Sequence, residues 1–120
     1  PYAAFHVRRG DYLKYPELYA AVTERSYLDA YDRFDCDLPI RWVREEDAND
    51  WMADFRTLIG ATVLFRANST FSWWASVLSD ATTYSPIVAG KTGMCDCEFV
   101  EGNWPRLCNA TFVTDLHLPE

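Results

Sequence analysis

Short apolar runs take turns with stretches of helical periodicity along this chain, and few architectures accept such a pattern. Residues 2–7 are apolar and bounded by Gly10, as a buried strand is. Between residues 26 and 35, Tyr27, Tyr31 and Phe34 recur at i, i+4 and i+7, on one face of a helix that Ser26 is placed to cap. Pro39 ends that helix, and residues 40–43 read as a second strand. Trp51, Phe55 and Leu58 repeat the helical spacing between residues 49 and 59, with Gly60 as the stop. Residues 62–66 are β-branched and apolar, a third buried strand. Asn68-Ser69-Thr70 opens a third helix, in which Phe71, Trp74, Ala75 and Leu78 mark a core stripe, and residues 82–85 make a fourth strand before Pro86. Parallel strands need crossovers too long for a hairpin, and helices supply them. The expected fold is therefore α/β, a Rossmann-like parallel sheet with helical crossovers.

Residues 14–24, with Pro16 and several tyrosines, read as a loop with a turn of helix. Residues 1–87 form the expected core of a single domain. Gly90, Gly93, Gly102 and Pro105 interrupt residues 88–120, which read as a mostly irregular tail of that domain. The sequence begins at Pro1 rather than a methionine and is read as a fragment or trimmed domain.

The net charge of −7 argues against a nucleic-acid partner, which needs a basic footprint. No apolar run approaches the roughly 20 residues of a transmembrane helix. Cys36, Cys95, Cys97 and Cys108 fit no two-pair zinc spacing. They read as free thiols, which, with no visible signal segment, favours the cytoplasmic side; a disulfide from Cys108 to Cys95 or Cys97 is the alternative.

Two segments carry chemistry. In His6-Val7-Arg8-Arg9-Gly10-Asp11-Tyr12 an arginine pair follows a strand, where open parallel sheets bind ligands. A guanidinium matches phosphate oxygens with a fork of donors and stays charged. Side chains alternate along a strand, so Arg8 shares a face with His6 while Arg9 points the other way. Asp11 is placed to hold an arginine; the plainer alternative is a surface Arg-Asp ion pair. Arg9-Gly10-Asp11 abuts a buried strand rather than a loop tip, which sets an integrin ligand aside. The second segment, Ala67-Asn68-Ser69-Thr70-Phe71-Ser72-Trp73-Trp74, is a strand-to-helix turn whose free amides favour an anion. Ser69, Thr70 and Ser72 add hydroxyls, and plain capping by Asn68 or Ser69 is the alternative. Trp74 reads as core and Trp73 as core or site. Asn68-Ser69-Thr70 and Asn109-Ala110-Thr111 are formal glycosylation sequons. Asp35-Cys36-Asp37 has the form of a diphosphate-metal motif, but it sits at a helix end before Pro39 and matches by chance are common.

Together the two segments resemble the paired motifs of the α1,2-fucosyltransferases: His-x-Arg-Arg-x-Asp in residues 6–12, and Asn68-Ser69-Thr70-Phe71-Ser72-Trp73-Trp74-Ala75 nearly letter for letter. Asp54, ahead of Phe55 and Leu58, falls where that family places an acidic residue. The resemblance spans residues 5–78. It implies the C-terminal, donor-binding half of a GT-B glycosyltransferase, GDP-fucose as donor, a glycan acceptor, no required metal or other cofactor, and an acceptor-binding domain upstream. It implies that Arg8 is the essential arginine on the β-phosphate and that Arg9 supports it. His6 and Asp54 then contact the base or ribose, and Ser69, Thr70 and Ser72 the phosphates. Asp11 and Asn68 support the site. The segment between the motifs is short, and Gly60-Ala61 stands where related sequences carry a cysteine and charged residues. A glycosyltransferase with another nucleotide sugar, or a truncated non-catalytic binding domain, are the competing readings.

Overall fold

The computed structural model describes residues 1–44 and 50–102. The first strand, β1 (Ala3–Val7), leads through a short helix α1 (Gly10–Lys14), a three-residue strand β2 (Ala20–Val22) and helix α2 (Glu24–Arg33) to β3 (Ile40–Arg44). Helix α3 (Trp51–Ile59), strand β4 (Val63–Phe65), helix α4 (Thr70–Val77) and strand β5 (Thr82–Pro86) follow, then two short strands, β6 (Gly93–Cys95) and β7 (Phe99–Glu101). Five strands form one sheet in the order β3-β1-β4-β5-β7. β3 and β4 flank β1 in parallel, β5 extends β4 in parallel, and β7 adds an antiparallel edge. β2 and β6 pair separately, in parallel. The molecule is thus an α/β protein with a mostly parallel sheet. Among the described residues no helix is long and apolar enough to cross a membrane.

Helices cover both faces of the sheet, and β1 shows why its sequence is apolar throughout. All five of its residues are buried, as in any strand covered on both sides. Ala3, Phe5 and Val7 face α2 and join Tyr27 and Ala30 of that helix and Phe99 of β7 in one cluster. Ala4 faces the other way, into a cluster with Leu58 of α3 and Ala75 of α4. Phe5 centres the first cluster: its ring lies 4.8 Å from Trp42, 5.0 Å from Phe65 and 5.7 Å from Tyr27. Such ring pairs each contribute about 0.5–1.5 kcal/mol beyond burial.

Each longer helix starts on a side-chain cap. Thr23 caps α2, its hydroxyl accepting the Ser26 amide at 3.3 Å. Ser26, the expected cap, lies inside the first turn and is buried; its hydroxyl accepts the Cys97 amide at 3.0 Å. Asp50 caps α3 by accepting the amides of Met52 and Ala53, both at 3.1 Å. Helix α3 stops at Gly60, where a Cβ would meet the Tyr2 hydroxyl at 2.9 Å.

Beyond the cap of α2, the structure differs from the sequence reading in three places. The loop of residues 14–24 contains β2, and the short helix lies before it, in α1. The tail contributes β6 and β7, so part of it belongs to the sheets; residues 103–120, with Cys108 and Asn109, lie outside the described residues. Cys36, Cys95 and Cys97 are free thiols, and burial pushes the Cys97 thiol up to about 12. Third, the core face of α4 is made of Ser72, Ala75 and Ser76, while Trp74 is 51% and Leu78 60% exposed. Small residues bring α4 close to the sheet, and the large ones are left at its flanks.

Candidate functional site

After β1 the chain crosses to β3 on one side, then returns past β1 to β4 on the other. The carboxyl ends of β1 and β4 therefore border the crevice at which the strand order reverses, the usual ligand position in open parallel sheets. Phe5 pairs with Phe65, so Arg8 and Asn68, each three residues further on, leave the sheet at the same edge. The two segments singled out in the sequence meet there.

A cleft of about 500 Å³ opens at that edge, lined by Arg8, Trp51, Phe55, Thr70, Phe71 and Trp74. Arg8 comes from the end of β1, Trp51 and Phe55 from α3, and the other three from the first turns of α4. The strand alternation assigns the arginines. Arg8 follows Ala4 and His6 toward α3 and α4. Arg9 turns toward α2, where its charge adds to the Arg44 hydrogen bond that lowers the pKa of Glu24, and counters the burial that raises that of Tyr27. One arginine of the pair meets the cleft and the other lies behind it.

Tyr12 ties the two segments together. The Arg8 guanidinium carbon sits 5.2 Å from the centre of its ring, and its hydroxyl donates to the Asn68 carbonyl. Tyr19 stacks on Tyr12, with ring centres 4.5 Å apart.

Helix α4 supplies the amide-rich end. The Ser69 hydroxyl accepts the Ser72 amide at 3.3 Å, and the Ser69 carbonyl accepts the Trp73 amide at 3.2 Å. Among the described residues nothing accepts the Thr70 and Phe71 amides, which carry the positive end of the helix dipole. Thr70 is exposed and lines the cleft.

Several expected ligand contacts fall elsewhere. His6 is wholly buried and packs on Phe71, with ring centres 5.5 Å apart, so it supports the cleft floor rather than reaching its surface. Ser69 and Ser72 are also buried; the first caps the helix, and the Ser72 hydroxyl donates to the Ala67 carbonyl at 3.1 Å. Of the three hydroxyls, Thr70 alone lines the cleft. Asp54 is half-buried in the first turn of α3, one residue before the cleft-lining Phe55, and is not itself a lining residue. The Asp11 side chain lies outside the described residues. Asn68 is 1% exposed, which closes the first sequon to a glycan. Among the described residues neither polar atom of its amide has a hydrogen-bond partner. Trp74, read as core, is a cleft wall. Asp35-Cys36-Asp37 precedes β3 and so lies at the opposite, amino edge of the sheet.

Sequence reasoning gave no role to Arg66, which is 1% exposed just past β4. Its Nη1 donates to the Ser85 hydroxyl at 3.0 Å and its Nη2 to the Ser69 carbonyl at 3.3 Å. Desolvation lowers its pKa to about 10, so it remains a cation at neutral pH, held against the cap of α4. A charged residue directly after Val63-Leu64-Phe65 was the available signal.

No protein-family model, curated protein or solved structure matches this chain. The site's chemistry therefore rests on its geometry. A forked cation, a helix N-terminus and a hydroxyl share one opening with four aromatic side chains. That arrangement can take an anion joined to an apolar or π-faced ring.

Proposed function

We propose that this chain is the donor-binding domain of a fucosyltransferase of GT-B architecture, binding GDP-fucose and transferring fucose to a glycan hydroxyl without a required metal. One observation carries the reading: Arg8 and the N-terminus of α4 border one cleft at the reversal of strand order. These are the two segments whose sequences resemble the α1,2-fucosyltransferase motifs.

In transfer from a nucleoside diphosphate, negative charge builds on the departing β-phosphate. Donors fixed in advance toward that charge stabilise the transition state more than the ground state. On this reading Arg8 grips the diphosphate bidentately, and the Thr70 and Phe71 amides with the Thr70 hydroxyl complete the cradle. Arg66 adds a fixed positive charge behind the cap. Arg9 and His6 hold the strand end, and acceptor binding belongs to a second domain.

Calorimetric titration with GDP, UDP and ADP, with magnesium and with chelator, tests this. GDP binds most tightly and magnesium makes no difference; Arg8→Ala weakens GDP at least tenfold with an unchanged melting curve. In a complete enzyme Arg8→Ala lowers turnover by about 10²–10³, and Arg8→Lys restores little because a point charge lacks the fork. An Arg8→Ala protein that binds GDP as well as its parent overturns the proposal.

A further inference from the structure

Trp51 and Trp74 are 62% and 51% exposed, an unusual state for the largest apolar side chains, and both line the cleft that holds Arg8. They rise from different helices, Trp51 from the first turn of α3 and Trp74 from the second turn of α4. Below them Phe55 and Phe71, half-buried and 5.1 Å apart, form an aromatic floor that continues to His6. Trp73 braces Trp74 edge-on, with ring centres 4.8 Å apart at 77°.

We infer that Trp51 and Trp74 are the walls that hold the nucleotide's planar base, with the phosphates running from that ring to Arg8. This rests on the donor-site reading above and moves the grip on the base from His6 and Asp54, to which the motif resemblance gives it, to two tryptophans that line the cleft.

The polarity of the cleft selects a base over a sugar. Among the described residues lining it, Arg8 and Thr70 are the polar ones, and both lie toward the strand and helix ends that would hold the anion. A pyranose stacked on the tryptophans would leave its hydroxyls in water at the open mouth, gain no polar partner from the aromatic walls, and cover less of their surface than a planar bicyclic ring. A purine covers the aromatic surface with its π-faces and keeps its polar edge toward the cleft mouth. Aromatic stacking on a base tolerates any base. The walls therefore contribute affinity, while discrimination of guanine needs edge contacts from elsewhere.

The test compares GDP with inorganic pyrophosphate, which keeps the anion and lacks the ring. Trp51→Ala and Trp74→Ala each weaken GDP about fivefold to a hundredfold, the range of one base–aromatic stack, and leave pyrophosphate unchanged. The Phe variants recover most of the loss. Melting curves stay near the parent's, because both side chains are more than half exposed. The inference is overturned if the alanine variants bind GDP normally, if they lose GDP and pyrophosphate alike, or if their loss shows against a free galactoside instead. Arg8→Ala separates the two readings. When it weakens both anions while the tryptophan variants do nothing, the donor site stands and the walls fall. When it weakens neither, the donor-site reading fails.

Discussion

A single buried guanidinium shows how much one residue can demand of its surroundings. Arg66 lies in the turn between β4 and α4 and donates to groups from two segments, the Ser69 carbonyl and the Ser85 hydroxyl. Burying a charge costs free energy, and exchange of a buried ion for an apolar residue of like volume is often neutral or stabilising. Its folded pKa, about 10 against 12.5 in the unfolded chain, gives the sign. Above pH 10 the folded form releases its proton first, the unfolded chain holds more protons, and stability attributable to this group rises with pH. The penalty is thus fully present at neutral pH and is relieved in alkali. Arg66→Met is expected to match or exceed the parent's urea midpoint at pH 8 and to lose ground to it as the pH passes about 10. It is also expected to weaken pyrophosphate binding, since a positive charge behind the α4 cap is gone. At this scale the sequence was partly legible. Period-two alternation placed Arg8 and Arg9 on opposite faces, because strand geometry leaves no other choice. It could not place Ser69 and Ser72 inward, since a hydroxyl that caps a helix and one that binds a phosphate read the same in a sequence.

Helix α4 shows where element-level reasoning held and where it slipped. Its position, its start at Ser69 and its apolar spacing were readable from Asn68 onward. The expected stripe held at Ala75, which is buried, and at Phe71, which packs on the core, but failed at Trp74 and Leu78, which are exposed. The true contact face is Ser72, Ala75 and Ser76, at i, i+3 and i+4, with hydroxyls satisfied by the Ala67 carbonyl and by Thr83 at 2.9 Å. Periodicity finds a stripe but does not say whether it meets the sheet or a ligand. A small-residue face permits close approach, so a larger side chain there must strain the packing. Ala75→Leu is expected to destabilise by about 1–3 kcal/mol, read as a lowered urea midpoint, although it leaves every cleft-lining residue in place. The short strands were illegible for another reason. β2 is Ala20-Ala21-Val22, with two residues of low strand preference. β6 begins at Gly93, whose φ of 69° looks like an interruption and is in fact the entry to the strand.

For the whole molecule, the order of apolar runs specified a parallel sheet with helices on both faces, and that much followed from chain connectivity alone. The aromatic cluster around Phe5 and Phe65 draws its members from strands and from α2, so its loss is felt globally. Phe65→Ala is expected to cost about 3–5 kcal/mol, a large share of the roughly 5–15 kcal/mol of a typical domain; a single cooperative denaturation curve shifted by that amount checks it. What connectivity could not foretell was the separate ribbon of β2 and β6, which depends on partners from opposite ends of the described chain.

That ribbon joins Ala20 to Gly93 and Val22 to Cys95, and between them run helices α2, α3 and α4 and three strands of the main sheet, β3, β4 and β5. It works as a buckle: it can be fastened only once everything threaded between its halves has been drawn together. Loop closure of that span is entropically dear and makes such pairings late events on the folding path. Pulse-labelled amide exchange during refolding would accordingly find β6 among the last segments to be protected.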